Sequence, residues 1–89
     1  MSSQLTDDFI RCFQRLPNRI KRKARRNYKL WKQNPYHPSL EFKEVHPIKP
    51  IYSLRVGIGW RALGIMEGDT IIWFWIGSHN NYEKLLRRL

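Results

Sequence analysis

A chain of 89 residues makes one domain with a modest core, because a protein this short buries only roughly 60–65% of its unfolded surface. Seventeen Lys and Arg against seven Asp and Glu leave a formal net charge of +10, and 42% hydrophobic content excludes wholesale disorder. A single cysteine, Cys12, excludes an internal disulfide, and the longest apolar run, Ile71 to Ile76, is too short to span a bilayer.

Residues 1–15 carry Asp7 and Asp8 and have no apolar signal core, so a cytoplasmic protein with no membrane partner is expected. Residues 1–5 are expected to fray. Thr6 suits an N-cap, with Asp7 and Asp8 in the turn where the helix dipole favours anions. Phe9, Ile10, Phe13 and Leu16 then recur at helical spacing up to the Leu16-Pro17 break. Pro17 suits the opening of a second helix, whose apolar stripe is Ile20, Ala24, Tyr28 and Trp31 and whose stop is Asn34-Pro35. Two such helices joined at a proline read as a helical hairpin packed on something flat.

Residues 35–39 form a turn-rich connector and Leu40 to Val45 a short strand, after which Pro47 and Pro50 interrupt regular structure. From Ile51 the period changes to two, with Tyr52, Leu54, Val56 and Ile58 alternating with Ser53, Arg55 and Gly57. Gly57 to Gly59 fits a turn, Trp60 to Met66 a second strand, and Glu67-Gly68-Asp69 a hairpin turn. Thr70 to Gly77 is apolar on both faces and reads as a central strand, with the Trp73 and Trp75 pair packing on one face. Tyr82 to Leu89 closes the chain as a short helix with Leu85, Leu86 and Leu89 inward. The fold class is α+β: two N-terminal helices on a small twisted antiparallel sheet of three to four strands, with a short C-terminal helix, in one domain spanning residues 1–89.

The charge has a location. Arg19, Lys21, Arg22, Lys23, Arg25, Arg26, Lys29 and Lys32 lie on the second helix with no acid among them. A solvated helix normally mixes signs to gain i,i+4 pairs. Here like charges repel, which points to a polyanionic partner, with Lys21, Arg22, Arg25, Arg26 and Lys29 as the nucleic-acid-binding face. Solubility alone is the competing explanation.

A second cationic set sits on the strands. The alternation puts Arg55 on the face opposite Leu54 and Val56, Arg61 follows on the next strand, and His79 and Tyr82 follow the end of the third. Neighbouring strands are only ~5 Å apart, so these side chains can converge. Arginine grips phosphate with two donors, histidine moves a proton near neutral pH, and tyrosine stacks on a base. Cleavage of RNA through its 2′-hydroxyl needs a proton acceptor, a cation on the phosphate and a proton donor for the leaving oxygen. An arginine in a strand is most often simply solvated and a histidine at a strand end a cap, so spacing alone leaves each role open. His37, His46 and His79 lack metal-ligand spacing, the seven acids form no two-metal cluster, and no GxxxxGK loop exists; no metal or cofactor is expected. Cys12 reads as core, not as a nucleophile.

Taken together, these motifs resemble the RelE/ParE superfamily of bacterial toxins. The resemblance rests on Leu16-Pro17 before a long basic helix, Asn34-Pro35, His37-Pro38-Ser39-Leu40 and Phe42-Lys43. It rests further on the strand pair Tyr52-Ser53-Leu54-Arg55-Val56 and Trp60-Arg61-Ala62-Leu63-Gly64, and on Gly77-Ser78-His79 followed by Tyr82. It covers about residues 8–88. The resemblance implies the toxin of a type II toxin–antitoxin system, with a cognate antitoxin as partner and a heterotetramer as one possible assembly. In the RelE-like branch it implies a metal-independent endoribonuclease acting on mRNA at the ribosome. By position, Arg61 matches the arginine that steadies the scissile phosphate, Arg55 a basic position on the preceding strand, His79 the proton-transfer histidine and Tyr82 a base-contacting aromatic. Lys43 matches a basic residue before the sheet. Two departures stand out: only Ser2 to Leu5 are available for an N-terminal strand, and only Glu41 and Glu44 for a catalytic glutamate. The alternatives are a ParE-like DNA gyrase inhibitor without nuclease activity and a non-catalytic basic RNA-binding module.

Overall fold

The computed structural model describes residues 1–89. In chain order the elements are β1 (Ser2–Leu5), α1 (Asp7–Gln14), α2 (Asn18–Gln33), a single 3₁₀ turn (Pro38–Leu40), β2 (Lys43–Glu44), β3 (Ile51–Gly57), β4 (Trp60–Glu67), β5 (Thr70–Ser78) and α3 (His79–Arg88). The five strands form one sheet in the order β1-β5-β4-β3-β2. All neighbours are antiparallel except β1, which runs parallel to β5. The α+β class is as expected, with β1 as the added strand.

The local signals explain the helices. Thr6 caps α1, its hydroxyl accepting from the Phe9 N–H at 3.0 Å, with Asp7 and Asp8 in the first turn. Pro17 precedes α2 and its carbonyl takes the Ile20 and Lys21 amides. The two helices are not a closely packed hairpin, however. α1 rests on β5 and α2 on β3, and between them lies an apolar groove of about 240 Å³ lined by Phe9, Phe13, Ala24, Tyr28 and Trp73 among others.

The sheet has two differently covered faces. On the side of α1 and α2, Leu54, Val56, Ala62, Ile71, Trp73 and Ile76 pack with Leu16, Ile20, Trp31, Leu40 and Phe42 into the main core. Trp31 is fully buried between Phe42 and Trp73, each ring meeting it edge-on; truncating such a side chain to alanine costs about 3–5 kcal/mol. On the other side Ile51, Leu63 and Tyr82 form a smaller cluster under α3, joined by Trp75, Leu85, Leu86 and Leu89. α3 covers only part of this face, and Ser53, Arg55 and Arg61 occupy the rest.

Four expectations are corrected. Residues 1–5 do not fray: Ser2 to Leu5 pair with Thr70 to Trp73, and the Ser2 and Thr6 amides donate to Asp69 and Trp73 carbonyls at 3.0 and 3.1 Å. Residues 40–45 are not one strand, because the 3₁₀ turn occupies Leu40 and pairing begins only at Lys43. The last helix begins at His79, not Tyr82, because the Ser78 hydroxyl caps it by accepting from the Asn81 amide. Trp73 and Trp75 do not share a face. Leu63 pairs with Trp75 while the adjacent Gly64 pairs with Trp73, and this bulge turns one ring to each side of the sheet.

Candidate active site

Arg55 and Arg61 are a cross-strand pair, the last before a bulge and the tight Ile58-Gly59 turn. Gly59 holds φ +78, a conformation that costs glycine nothing. The Gly59 carbonyl accepts from the His79 N–H at 2.8 Å, which ties the start of α3 to that turn. The β5–α3 junction thus delivers His79 and Tyr82 to the end of the strand pair carrying the two arginines.

Side-chain contacts link the group. The Arg61 guanidinium lies 5.8 Å from the Tyr82 ring, and the Tyr82 ring lies 5.5 Å from that of His79. His79 Nδ1 sits 3.3 Å from Glu83 Oε1, one turn along α3. Arg61 Nη1 donates to Ser53 Oγ at 3.3 Å, and Ser53 is completely buried. The Arg61 side chain is only 12% exposed against 37% for Arg55, so Arg61 is the more rigidly aimed of the two cations.

Glu41 joins them. Its Oε1 accepts from Arg61 Nη2 at 2.8 Å, and its Oε2 lies 3.6 Å from Arg55 Nη1. The Arg61 hydrogen bond, with the charges of Arg61, Arg55 and Lys43, holds the Glu41 carboxyl below the ordinary carboxylate range. Glu41 reaches this position from a left-handed backbone, φ 45 and ψ 44, at the end of the 3₁₀ turn. Lys43 pairs with Ser53 across β2 and β3, so it stands on the same face as Arg55 and Arg61. The result is a shallow, solvent-accessible patch of three cations, one carboxylate and an imidazole, while the Tyr82 ring lies buried behind it in the cluster under α3, at 8% exposure, and, contrary to the expectation from sequence, is not presented for stacking on a base. Such a patch can bind a phosphodiester and place a proton-transfer group beside it.

The helix-borne cations are elsewhere. α2 covers the opposite face of the sheet, so Lys21, Arg22, Arg25, Arg26 and Lys29 do not join the strand cluster. Arg22, Arg25 and Arg26 line one surface recess, and Arg25 lies over the Phe13 ring of α1 at 5.1 Å. α2 meets the strand site only from behind, where Asn27 Nδ2 donates to the Arg55 and Val56 carbonyls at 3.1 and 2.9 Å. Sequence reasoning missed Asn27, Ser53 and Glu83, and left Glu41 as a bare candidate. His37 and His46 are turn caps, their Nδ1 atoms accepting from the amides of Ser39 and of Ile48 and Lys49. No three His, Cys, Asp or Glu side chains gather as a metal site, and no helix is long and apolar enough to cross a membrane.

Comparison with known proteins places this arrangement. The fold is similar to the RelB–RelE antitoxin–toxin complex from Methanococcus jannaschii, with a TM-score of 0.75 at 17% identity over 92% of this chain and 96% of that one. It is also similar to YafQ from E. coli (TM-score 0.73, 13% identity, 91% and 96% covered). The isolated RelE toxin of E. coli matches at TM-score 0.66 and 9% identity over 99% of this chain and 98% of its own. No curated protein matches the sequence significantly. The family model described as a ParE-like toxin domain matches residues 18–84, from the start of α2 into α3. Over that span, which holds every side chain of the site, the chain belongs to the ParE-like toxin family of the RelE/ParE superfamily.

Proposed function

We propose that this protein is the toxin of a type II toxin–antitoxin pair and acts as a metal-independent endoribonuclease on mRNA, at the ribosome, in the cytoplasm. One observation carries the reading: Arg55 and Arg61 on paired strands and His79 at the strand–helix junction stand at one end of the sheet, with the buried Tyr82 ring lying between Arg61 and His79. In this reading Arg61 and Arg55 hold the scissile phosphate and offset the charge that builds on its oxygens during attack. The 2′-oxygen bonds to phosphorus as its proton passes to a base, the bond to the 5′-oxygen breaks and that oxygen takes up a proton; His79 makes one of these two transfers and water the other. Glu83 holds Nδ1, which leaves Nε2 for the substrate. Tyr82, buried against Arg61, backs the guanidinium, and Lys43 extends the phosphate track. The basic face of α2, on the far side of the sheet, steers the domain towards RNA at long range.

An antitoxin partner is supported by the similarity to a RelB–RelE antitoxin–toxin complex. Incubation of the purified chain with ribosomes programmed with mRNA, beside a gyrase supercoiling assay, tests the activity. Cut mRNA with untouched supercoiling is expected. The ParE-like family match favours the second reading, and inhibited supercoiling with intact mRNA would establish it. A basic RNA-binding module without toxicity predicts neither effect and no growth arrest on induction.

A further inference from the structure

Glu41 stands where an anionic ligand would have to sit. Its two carboxylate oxygens address guanidiniums from neighbouring strands, at 2.8 Å from Arg61 and 3.6 Å from Arg55. Two oxygens of one phosphodiester would engage the same donors in the same way. We propose that Glu41 is an internal stand-in for the phosphate: its carboxylate closes the Arg55–Arg61 anion site in the free protein and swings aside to admit one phosphodiester group. The identity of that group as RNA rests on the nuclease reading, whereas the competition between carboxylate and phosphate does not.

The surroundings fit a displaceable group. Leu40 and Phe42, buried on either side of Glu41, anchor the backbone, so only an exposed side chain has to move. The left-handed backbone at Glu41 is unfavourable for a residue with a Cβ, and here it aims the carboxylate at the arginines. Arg61 keeps its bond to the buried Ser53 hydroxyl when Glu41 leaves, so the site stays aimed. The arginines need an anion in either state, because like charges directly opposite on adjacent strands repel. A carboxylate held in its charged form by Arg61 is also a weak proton acceptor, which favours a counter-ion role over that of a general base.

The full-length chain and its Glu41→Gln variant, titrated by calorimetry with inorganic phosphate and with a 2′-O-methyl RNA oligonucleotide that cannot be cut, test this. Glu41→Gln should bind both probes more tightly by up to about fivefold, the scale of one partly exposed ion pair. The gain should vanish in an Arg61→Ala background. Glu41→Ala, checked for folding by circular dichroism, should tighten binding in the same direction. Equal or weaker binding by Glu41→Gln, no measurable binding by either protein, or a gain that survives Arg61→Ala overturns the proposal. Loss of kcat in Glu41→Gln at unchanged affinity also overturns it and makes Glu41 the base. Cleavage of ordinary mRNA is scored apart. Tighter phosphate binding without any cleavage keeps the stand-in and removes the nuclease, and cleavage without tightening does the reverse.

Discussion

Arg55 and Arg61 face one another directly across β3 and β4, and the Glu41 carboxylate reaches both guanidiniums. A sheet would not ordinarily keep two like charges at that register, since opposed cations destabilise the pairing. The arrangement marks the site as one built around an anion, whichever anion occupies it.

Acid should dissolve that bridge. Because the folded state holds the Glu41 carboxyl below its ordinary value, the bridge adds stability at pH above the ordinary carboxylate range, and this is lost as pH falls through the lowered value. Melting curves of the wild type and of Glu41→Gln should therefore differ at neutral pH and converge in acid. A gap that persists unchanged into acid would show that the carboxylate's charge is not its source.

Arg61→Ala should lower RNA cleavage by about 10²-fold or more, the scale seen when a donor to a developing anion is removed. The fold should survive, with a stability change of about 1 kcal/mol, because Arg61 lies on a site face outside both apolar clusters. Single-turnover cleavage together with a thermal melt checks both halves, and full activity in the variant rejects the phosphate-holding role.

His79→Ala should slow cleavage by roughly 10²–10⁴-fold if the imidazole transfers a proton. The Ser78 cap and the His79 N–H bond to Gly59 involve no imidazole atom, so α3 should remain in place. An unchanged rate would leave His79 a surface partner of Glu83 and nothing more.

Neutralising Arg22, Arg25 and Arg26 together should weaken association with RNA. It should also reduce the slope of log K against log salt by up to about 2, at roughly 0.7 per single-strand phosphate contact. The same slope in the triple variant would mean that α2 carries its charge only for solubility.

Gly64→Ala should destabilise the domain by about 1–3 kcal/mol. A Cβ there would lie 2.8 Å from Ile71 Cγ1 and from Trp73 Cε3, both in buried side chains with no room to retreat. Chemical denaturation gives the number, and a neutral effect would show that the core relaxes more readily than its packing suggests.

How much of this could be read beforehand differs by element. Arg55, Arg61 and the helix stripes were legible because period-two and period-3.6 patterns state which way a side chain points. The split of Trp73 from Trp75 was not, since a bulge depends on how β5 pairs with β4 and leaves no mark on a strand that is apolar throughout. Ser2 to Leu5 stood out only as residues available for a strand and were expected to fray, because Ser-Ser-Gln-Leu has no apolar alternation. The hold on β1 comes from pairing with β5 and a Ser3–Tyr28 hydroxyl contact. Glu41 was visible only as a nearby acid. Its approach to the arginines depends on a left-handed non-glycine residue after a single 3₁₀ turn, which no local propensity announces.

The parallel pairing of β1 with β5 ties Ser2 to Thr70, residues far apart in the sequence. During synthesis the first strand has no partner until β5 has been made, and the helix that follows β5 supplies His79 and Tyr82. Contacts so distant in sequence form late and slowly. A copy that stops before Thr70 therefore lacks the partner of its first strand together with His79 and Tyr82.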